Sequence, residues 1–163
     1  MDAADTDIDR SLSRPASRSA REPGLDLICT KVAVDLQSIT LNNAEERIAA
    51  GLQALTDACG ADSVFVALID PEASVFSKVY AGRSTFSACN PEVLTETELD
   101  ELPWIKSRLD HLRLLEIRDT SKPPLAQSRD AARLASLNVG GMLVVGFNIR
   151  ERLGGLLGVC SSP

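Results

Sequence analysis

Hydrophobic positions along the chain fall into two helical stretches followed by a series of strands. Leu25, Ile28, Val32, Leu36 and Ile39 repeat at the three- and four-residue spacing of one helix face. Leu41-Asn42-Asn43 breaks that rhythm, and Asn43 with Glu46 three residues on predicts an N-cap and capping box. Ile48, Leu52, Leu55 and Cys59 share one face of a second helix, which Gly60 is placed to stop in the left-handed conformation.

The period then changes. Asp62 to Asp70 is β-branched and aromatic, the signature of a strand buried on both faces. A Pro-containing turn leads into Ser74 to Ala81, where apolar and polar residues alternate; the two runs predict an antiparallel hairpin. Residues 82–97 read as loop. Pro103 opens a short helix to Asp110, Leu114 to Arg118 is a strand, and the prolines of Ser121 to Pro124 make a loop. A helix over Ser128 to Leu137 ends at Asn138, and two strands follow, Gly141 to Ile149 and Leu153 to Cys160. Segregated helices with an antiparallel sheet define an α+β fold rather than a doubly wound one.

Residues 1–24 are set apart by composition. They are Asp-, Ser-, Ala- and Arg-rich with few large apolar side chains, too little to offset the entropy of ordering, and predict a disordered tail or linker ahead of one domain over 25–163. Of the 163 residues, 17 are Lys or Arg and 23 Asp or Glu; the net charge of −6 argues against a nucleic-acid surface. No apolar run approaches the roughly 20 residues of a membrane span, and no apolar segment near the N-terminus reads as a secretory signal. A cytoplasmic protein with reduced thiols is the expectation. Cys29, Cys59 and Cys160 read as core packing and Cys89, in the 82–97 loop, as the redox candidate. With one histidine, His111, and no close cysteine pair, no metal centre and no catalytic base are expected. The acidic stretch Glu92, Glu96, Glu98, Asp100, Glu101 lacks the spacing of a cation loop and reads as solvated surface and caps.

The element order and three local strings resemble the GAF domain family of small-molecule sensors. The strongest string is Leu137-Asn138-Val139-Gly140-Gly141-Met142, continued by Arg152-Leu153-Gly154-Gly155-Leu156-Leu157-Gly158-Val159. It is similar to the family's helix, glycine step, strand and Gly-x-Leu-Gly hairpin. Leu102-Pro103-Trp104 resembles the family's mid-domain helix start, and Ile117-Arg118-Asp119-Thr120 its strand and following step. The chain departs from the pattern at the tip of its last hairpin, where Arg150 and Glu151 replace glycine and suggest a longer or looser turn. It also stops at Pro163, where the family adds a helix beside its first one, so the resemblance implies a piece of a longer regulator.

The resemblance implies a PAS-like sheet with helices on one face and a ligand cavity beneath loops on the other. Candidate lining residues are Phe65, Phe76, Phe86, Trp104, Ile105, Leu109 and Ile117; Trp104 combines a large flat surface with one donor. It further implies a non-catalytic sensory module for an uncharged or cationic small ligand of unknown identity. Such a module would signal through a homodimer built on Leu25, Ile28, Val32, Leu36 and Ile39, toward a histidine kinase or cyclic-di-GMP enzyme output domain elsewhere in the parent chain. Two alternatives stand beside it: a ligand-free interaction module whose cavity is self-filled, and a reductase of free methionine sulfoxide using Cys89. Bilin-attaching members carry Cys next to His. Here the residues after the cysteines are Thr30, Gly60, Asn90 and Ser161, so covalent attachment is not expected.

Overall fold

A computed structural model describes residues 23–111 and 114–163. The 1–24 tail lies almost wholly outside them. Helices α1 (Pro23–Gln37) and α2 (Ala44–Cys59) precede β1 (Ser63–Asp70) and β2 (Val75–Arg83). Short 3-10 turns at Pro91–Leu94 and Leu99–Glu101 lead to α3 (Pro103–His111) and β3 (Leu114–Ile117). A further turn at Leu125–Gln127, α4 (Asp130–Ser136), β4 (Gly141–Ile149) and β5 (Arg152–Ser161) complete the order. The five strands form one antiparallel sheet in the order β2-β1-β5-β4-β3. The α+β architecture expected from the sequence is the one observed.

Strand alternation divides the sheet into two unlike faces. Phe65, Ala67 and Ile69 of β1, Phe76 of β2, Leu115 and Ile117 of β3, Met142 and Val144 of β4 and Leu156 of β5 join the main core, with Leu102, Ile105 and Leu109 of the α3 region and Leu134 of α4. Val64, Val66 and Leu68 point the other way, toward α2. There the buried Thr56 hydroxyl donates to the Leu52 carbonyl (2.9 Å) and accepts from the Val64 N–H (3.1 Å). Glu45 of α2 pairs with Lys78 of β2. Gly82 permits this contact: a Cβ on it would sit 2.4 Å from the Leu52 carbonyl group and 2.5 Å from the Gln53 nitrogen. α2 covers only part of this face. Over β3, β4 and β5, Leu114, Leu143, Val145 and Leu157 remain exposed.

The outer edge of β2 is not left open. The segment after the first 3-10 turn runs along it: the Phe76 N–H donates to Thr97 (3.0 Å), the Glu96 N–H to Phe76 (2.8 Å) and the Leu99 N–H to Ser74 (2.8 Å). Satisfying an edge this way removes a template for aggregation.

Three local expectations differ from the structure. Asn43 makes no cap with its side chain; its Oδ1 instead accepts from the Thr40 N–H (2.7 Å), closing the turn between the helices. Arg150 and Glu151 form a tight two-residue turn, with Ile149 paired to Arg152 and both tip residues left-handed (φ 50° and 68°). The strand twist selects this geometry even without glycine, at roughly 1–2 kcal/mol per left-handed residue. Cys29 and Cys59 are exposed rather than core: Cys29 falls off the buried stripe of α1, and Cys59, though on the Leu52 face, is the last residue of α2, whereas Cys89 is buried. Gly60 and Asn138 are left-handed as expected (φ 61° and 55°).

Because backbone stands where the new methyl would go, Gly82→Ala is expected to lower stability by roughly 1–3 kcal/mol, read as a drop in the urea midpoint. An unchanged midpoint would mean that α2 can ride up on the sheet at no cost.

Candidate functional site

The space between the sheet and the α3–α4 layer is filled. Phe65 and Phe76 are 2% and 0% exposed, and Ile105 and Leu109 are buried with them. These four expected cavity residues are core. Phe86 is 96% exposed and reaches none of the others. Trp104 and Ile117 come together elsewhere, in a groove of about 530 Å³ at the β3 edge, between α3 and the 119–125 loop.

α3 forms one wall because its N-terminus is pinned. Pro103 opens the helix without needing a hydrogen-bond partner for its nitrogen. The next two N–H groups, of Trp104 and Ile105, donate to the Asp130 carboxylate at 3.1 and 2.8 Å. Asp130 is fully buried at the start of α4, so one carboxylate caps α3 and ties the two helices together. With Leu102, Ile105 and Leu109 turned into the core, Trp104 and Arg108, four residues apart, face the groove. The Arg108 guanidinium lies 5.4 Å from the Trp104 ring centroid, a cation–π contact.

The opposite wall is also pinned. The Thr120 N–H donates to Gly140 O and its hydroxyl to Val139 O, both at 2.8 Å. Asp119 accepts from the Ser121 N–H (2.9 Å) and hydroxyl (2.5 Å) and pairs with Lys122 (2.9 Å). The Ser121 hydroxyl, the Lys122 ammonium and the Ser121 N–H together hold its carboxyl at about 2, against an ordinary 3.8. Pro123, Pro124 and Leu125 complete the wall.

The groove therefore has an apolar floor with charges at its rim. Arg118 pairs with Glu116 (2.8 Å) and Lys122 with Asp119, while Arg108 has no carboxylate partner among the described residues. Among the described residues lining the groove, three cations stand against two carboxylates. The acidic stretch lies away from this rim: Asp100 pairs with Lys106 (2.5 Å), and Glu98 and Glu101 form a capping box on the second 3-10 turn. His111 ends α3, and its side chain lies outside the described residues. Among the described residues no three His, Cys, Asp or Glu side chains cluster as for a metal, and no helix is long and apolar enough to cross a membrane. Cys89 does not line the groove.

Sequence reasoning missed Arg108, Lys122 and Asp130. The first was visible as the residue one turn after Trp104. Asp130 carried no signal, because its partners are backbone groups 25 and 26 residues away.

At the level of sequence, neither a family model nor a curated protein matches the chain. Solved structures do match its fold. The phycocyanobilin-bound GAF domain of a cyanobacterial phytochrome superposes with a TM-score of 0.66 at 17% identity, covering 85% of this chain and 80% of that one. The GAF domain of an Acinetobacter phosphoenolpyruvate-protein phosphotransferase gives 0.56 at 17% identity, covering 87% and 79%. The corresponding domain from Coxiella burnetii gives 0.57 at 14%, covering 85% and 77%. The chain has the fold of a GAF domain.

Two predictions follow from the pinned walls. Asp130→Ala strands two buried N–H groups and is expected to cost about 1–3 kcal/mol and to shift Trp104 emission to longer wavelength. Unchanged emission would mean that α3 holds its place without the carboxylate. Asp119 has a depressed folded-state pKa, so its contribution is present above 3.8 and lost as pH falls through about 2. Asp119→Asn is expected to flatten the acid limb of thermal stability between those values, and an identical limb in both proteins would refute the assignment.

Proposed function

We propose that this chain is a non-catalytic, small-molecule-binding regulatory domain of a bacterial, cytoplasmic signal-transduction protein, with the Trp104–Arg108 groove as its ligand site. The observation that carries this reading is a guanidinium, without a carboxylate partner among the described residues, stacked on the only tryptophan of the chain, at the mouth of an apolar groove of ligand size. An indole face takes a planar group, and an unpaired guanidinium takes a carboxylate or phosphate. The ligand is accordingly a planar molecule carrying an anionic group, held without a covalent bond. This replaces the uncharged or cationic ligand of the expectation. One structural neighbour holds phycocyanobilin, a precedent for a planar ligand on this fold.

Output passes to a histidine kinase or cyclic-di-GMP enzyme domain in a longer chain, through a homodimer. Val32 of the expected dimer face is buried against Gly51 of α2, and Ile28 and Ile39 are half-buried. Leu25 and Leu36, both on that face, remain exposed and support the dimer surface; Leu27 and Val34 are exposed on the opposite side of the helix. The filled centre of the domain favours a second reading, a ligand-free interaction module acting through that surface alone.

The test is a Trp104 fluorescence titration with biliverdin, indole-3-acetate and adenosine monophosphate, alongside melting curves. Quenching and a raised Tm with at least one probe, weakened about tenfold or more by Arg108→Ala, are expected. A chain that is dimeric yet silent to all three probes would favour the interaction module.

A further inference from the structure

A second cleft, of about 530 Å³, shares no residue with the groove and lies between the turn at Leu99–Glu101 and α4. Glu98, Asp100 and Glu101 line it from the turn, Arg129 and Arg133 from α4. Asp130, Leu134 and Leu137 are buried beneath α4, which turns Arg129 and Arg133, four residues apart, to its outer side. Opposite charges line one small space, yet among the described residues no ion pair joins the two walls. Their own bonds hold them in place. Glu98 and Glu101 cap the turn, each carboxylate accepting from the other residue's N–H. Asp100 pairs with Lys106. An Arg133 Nη donates to the hydroxyl of Thr97, which is 1% exposed.

These bonds position the groups without exhausting them. Among the described residues Glu98 and Glu101 have no cation partner, and Arg129 and Arg133 no carboxylate partner. The Arg133 Nε is buried and has no acceptor, a state that folded interiors seldom leave a donor in. We infer that this cleft is a binding site for a small zwitterion of the α-amino acid class. The ligand carboxylate meets Arg129 and Arg133, whose planar forks match its two oxygens. The ligand ammonium, with three N–H donors, meets Glu98 and Glu101. With Asp100 neutralised by Lys106, two carboxylates stand against two guanidiniums, so the cleft has no net charge to hold a simple ion. An anion alone would leave the carboxylates unmet, and a cation alone the guanidiniums. A molecule carrying both charges a few bonds apart satisfies both walls at once, and walls already pinned lose little side-chain freedom in meeting it. This stands whether or not the Trp104–Arg108 groove takes a ligand.

The test is a melting-temperature screen of the full chain against the standard α-amino acids, followed by calorimetric titration of those that raise Tm. At least one should raise Tm and bind. Its primary amide, which lacks the carboxylate, and its N-acetyl form, which lacks the ammonium, should each bind about tenfold weaker or worse, because each removes one charged partner. Arg133→Gln should weaken binding similarly but also removes the bond to Thr97. Arg129→Gln therefore carries the test: Arg129 is exposed and forms no ion pair among the described residues, so the free protein should melt unchanged while its affinity falls about tenfold. Arg108→Ala, in the groove, should leave amino acid binding as it is, which separates failure of this site from failure of the groove. The inference is overturned if no amino acid raises Tm, if either derivative binds as well as its parent, if Arg129→Gln binds like the unsubstituted chain, or if Arg108→Ala abolishes the binding.

Discussion

The structure turns on how the space beneath the sheet is filled. Phe65 of β1 lies over Gly158 of the neighbouring β5, and a Cβ at Gly158 would stand 2.3 Å from the ring. A side chain there would push the phenyl group out of the only room it has. Because β5 supplies no side chain at that point, the ring settles onto the sheet, and Phe76, Leu134 and Val144 close over the same core. Each large apolar side chain buried this way contributes roughly 1.5–3 kcal/mol, which an empty cavity would forfeit. The centre of the domain is thus spent on stability, and the groove beside the short edge strand β3 lies at its margin.

What makes that margin usable is rigidity imposed from outside it. α3 is short, and short helices are marginal on their own. Its orientation comes from the Asp130 carboxylate, which meets two backbone donors at once and anchors α3 to α4. The 119–125 wall is held through Thr120 to the chain just before β4. Trp104 and Arg108 on one side and Lys122 on the other are therefore presented by elements whose positions are set by buried polar contacts. That is the arrangement a binding site needs if its side chains are not to lose much entropy on meeting a ligand.

The sequence revealed the elements more fully than the site. Helices, hairpins and the left-handed stops at Gly60 and Asn138 are written in local periodicity and in residue types that tolerate positive φ, and these were legible. The Arg150–Glu151 tip was misread because strand twist, a non-local demand, overrode residue preference. The glycines of β5 were legible as a pattern but not as to purpose. Gly154, Gly155 and Gly158 each lie under a side chain of the sheet, namely Ile149, Phe147 and Phe65, and this depends on register. Phe65, Phe76, Ile105 and Leu109 were legible as apolar, yet apolarity alone does not separate a cavity lining from a packed core. Asp130 was invisible, since nothing in a helical heptad announces that a carboxylate will meet backbone donors of another helix.

Charge decides what the groove can select. The chain as a whole carries −6, which disfavours the approach of an anion from a distance. At physiological salt that field is screened beyond roughly 8 Å, while a guanidinium touching the ligand is screened far less. Arg108 therefore acts where the net charge does not. Its neighbours Arg118 and Lys122 are already neutralised by Glu116 and Asp119, so they hold the rim without competing for the ligand. Among the described residues, a cation entering the same groove would meet one like charge that no carboxylate pairs, and an uncharged planar molecule would leave that guanidinium with the indole as its partner. Under the proposed reading, the groove would discriminate by one guanidinium without a carboxylate partner among the described residues, set beside one flat ring, on a chain whose net charge repels an anion.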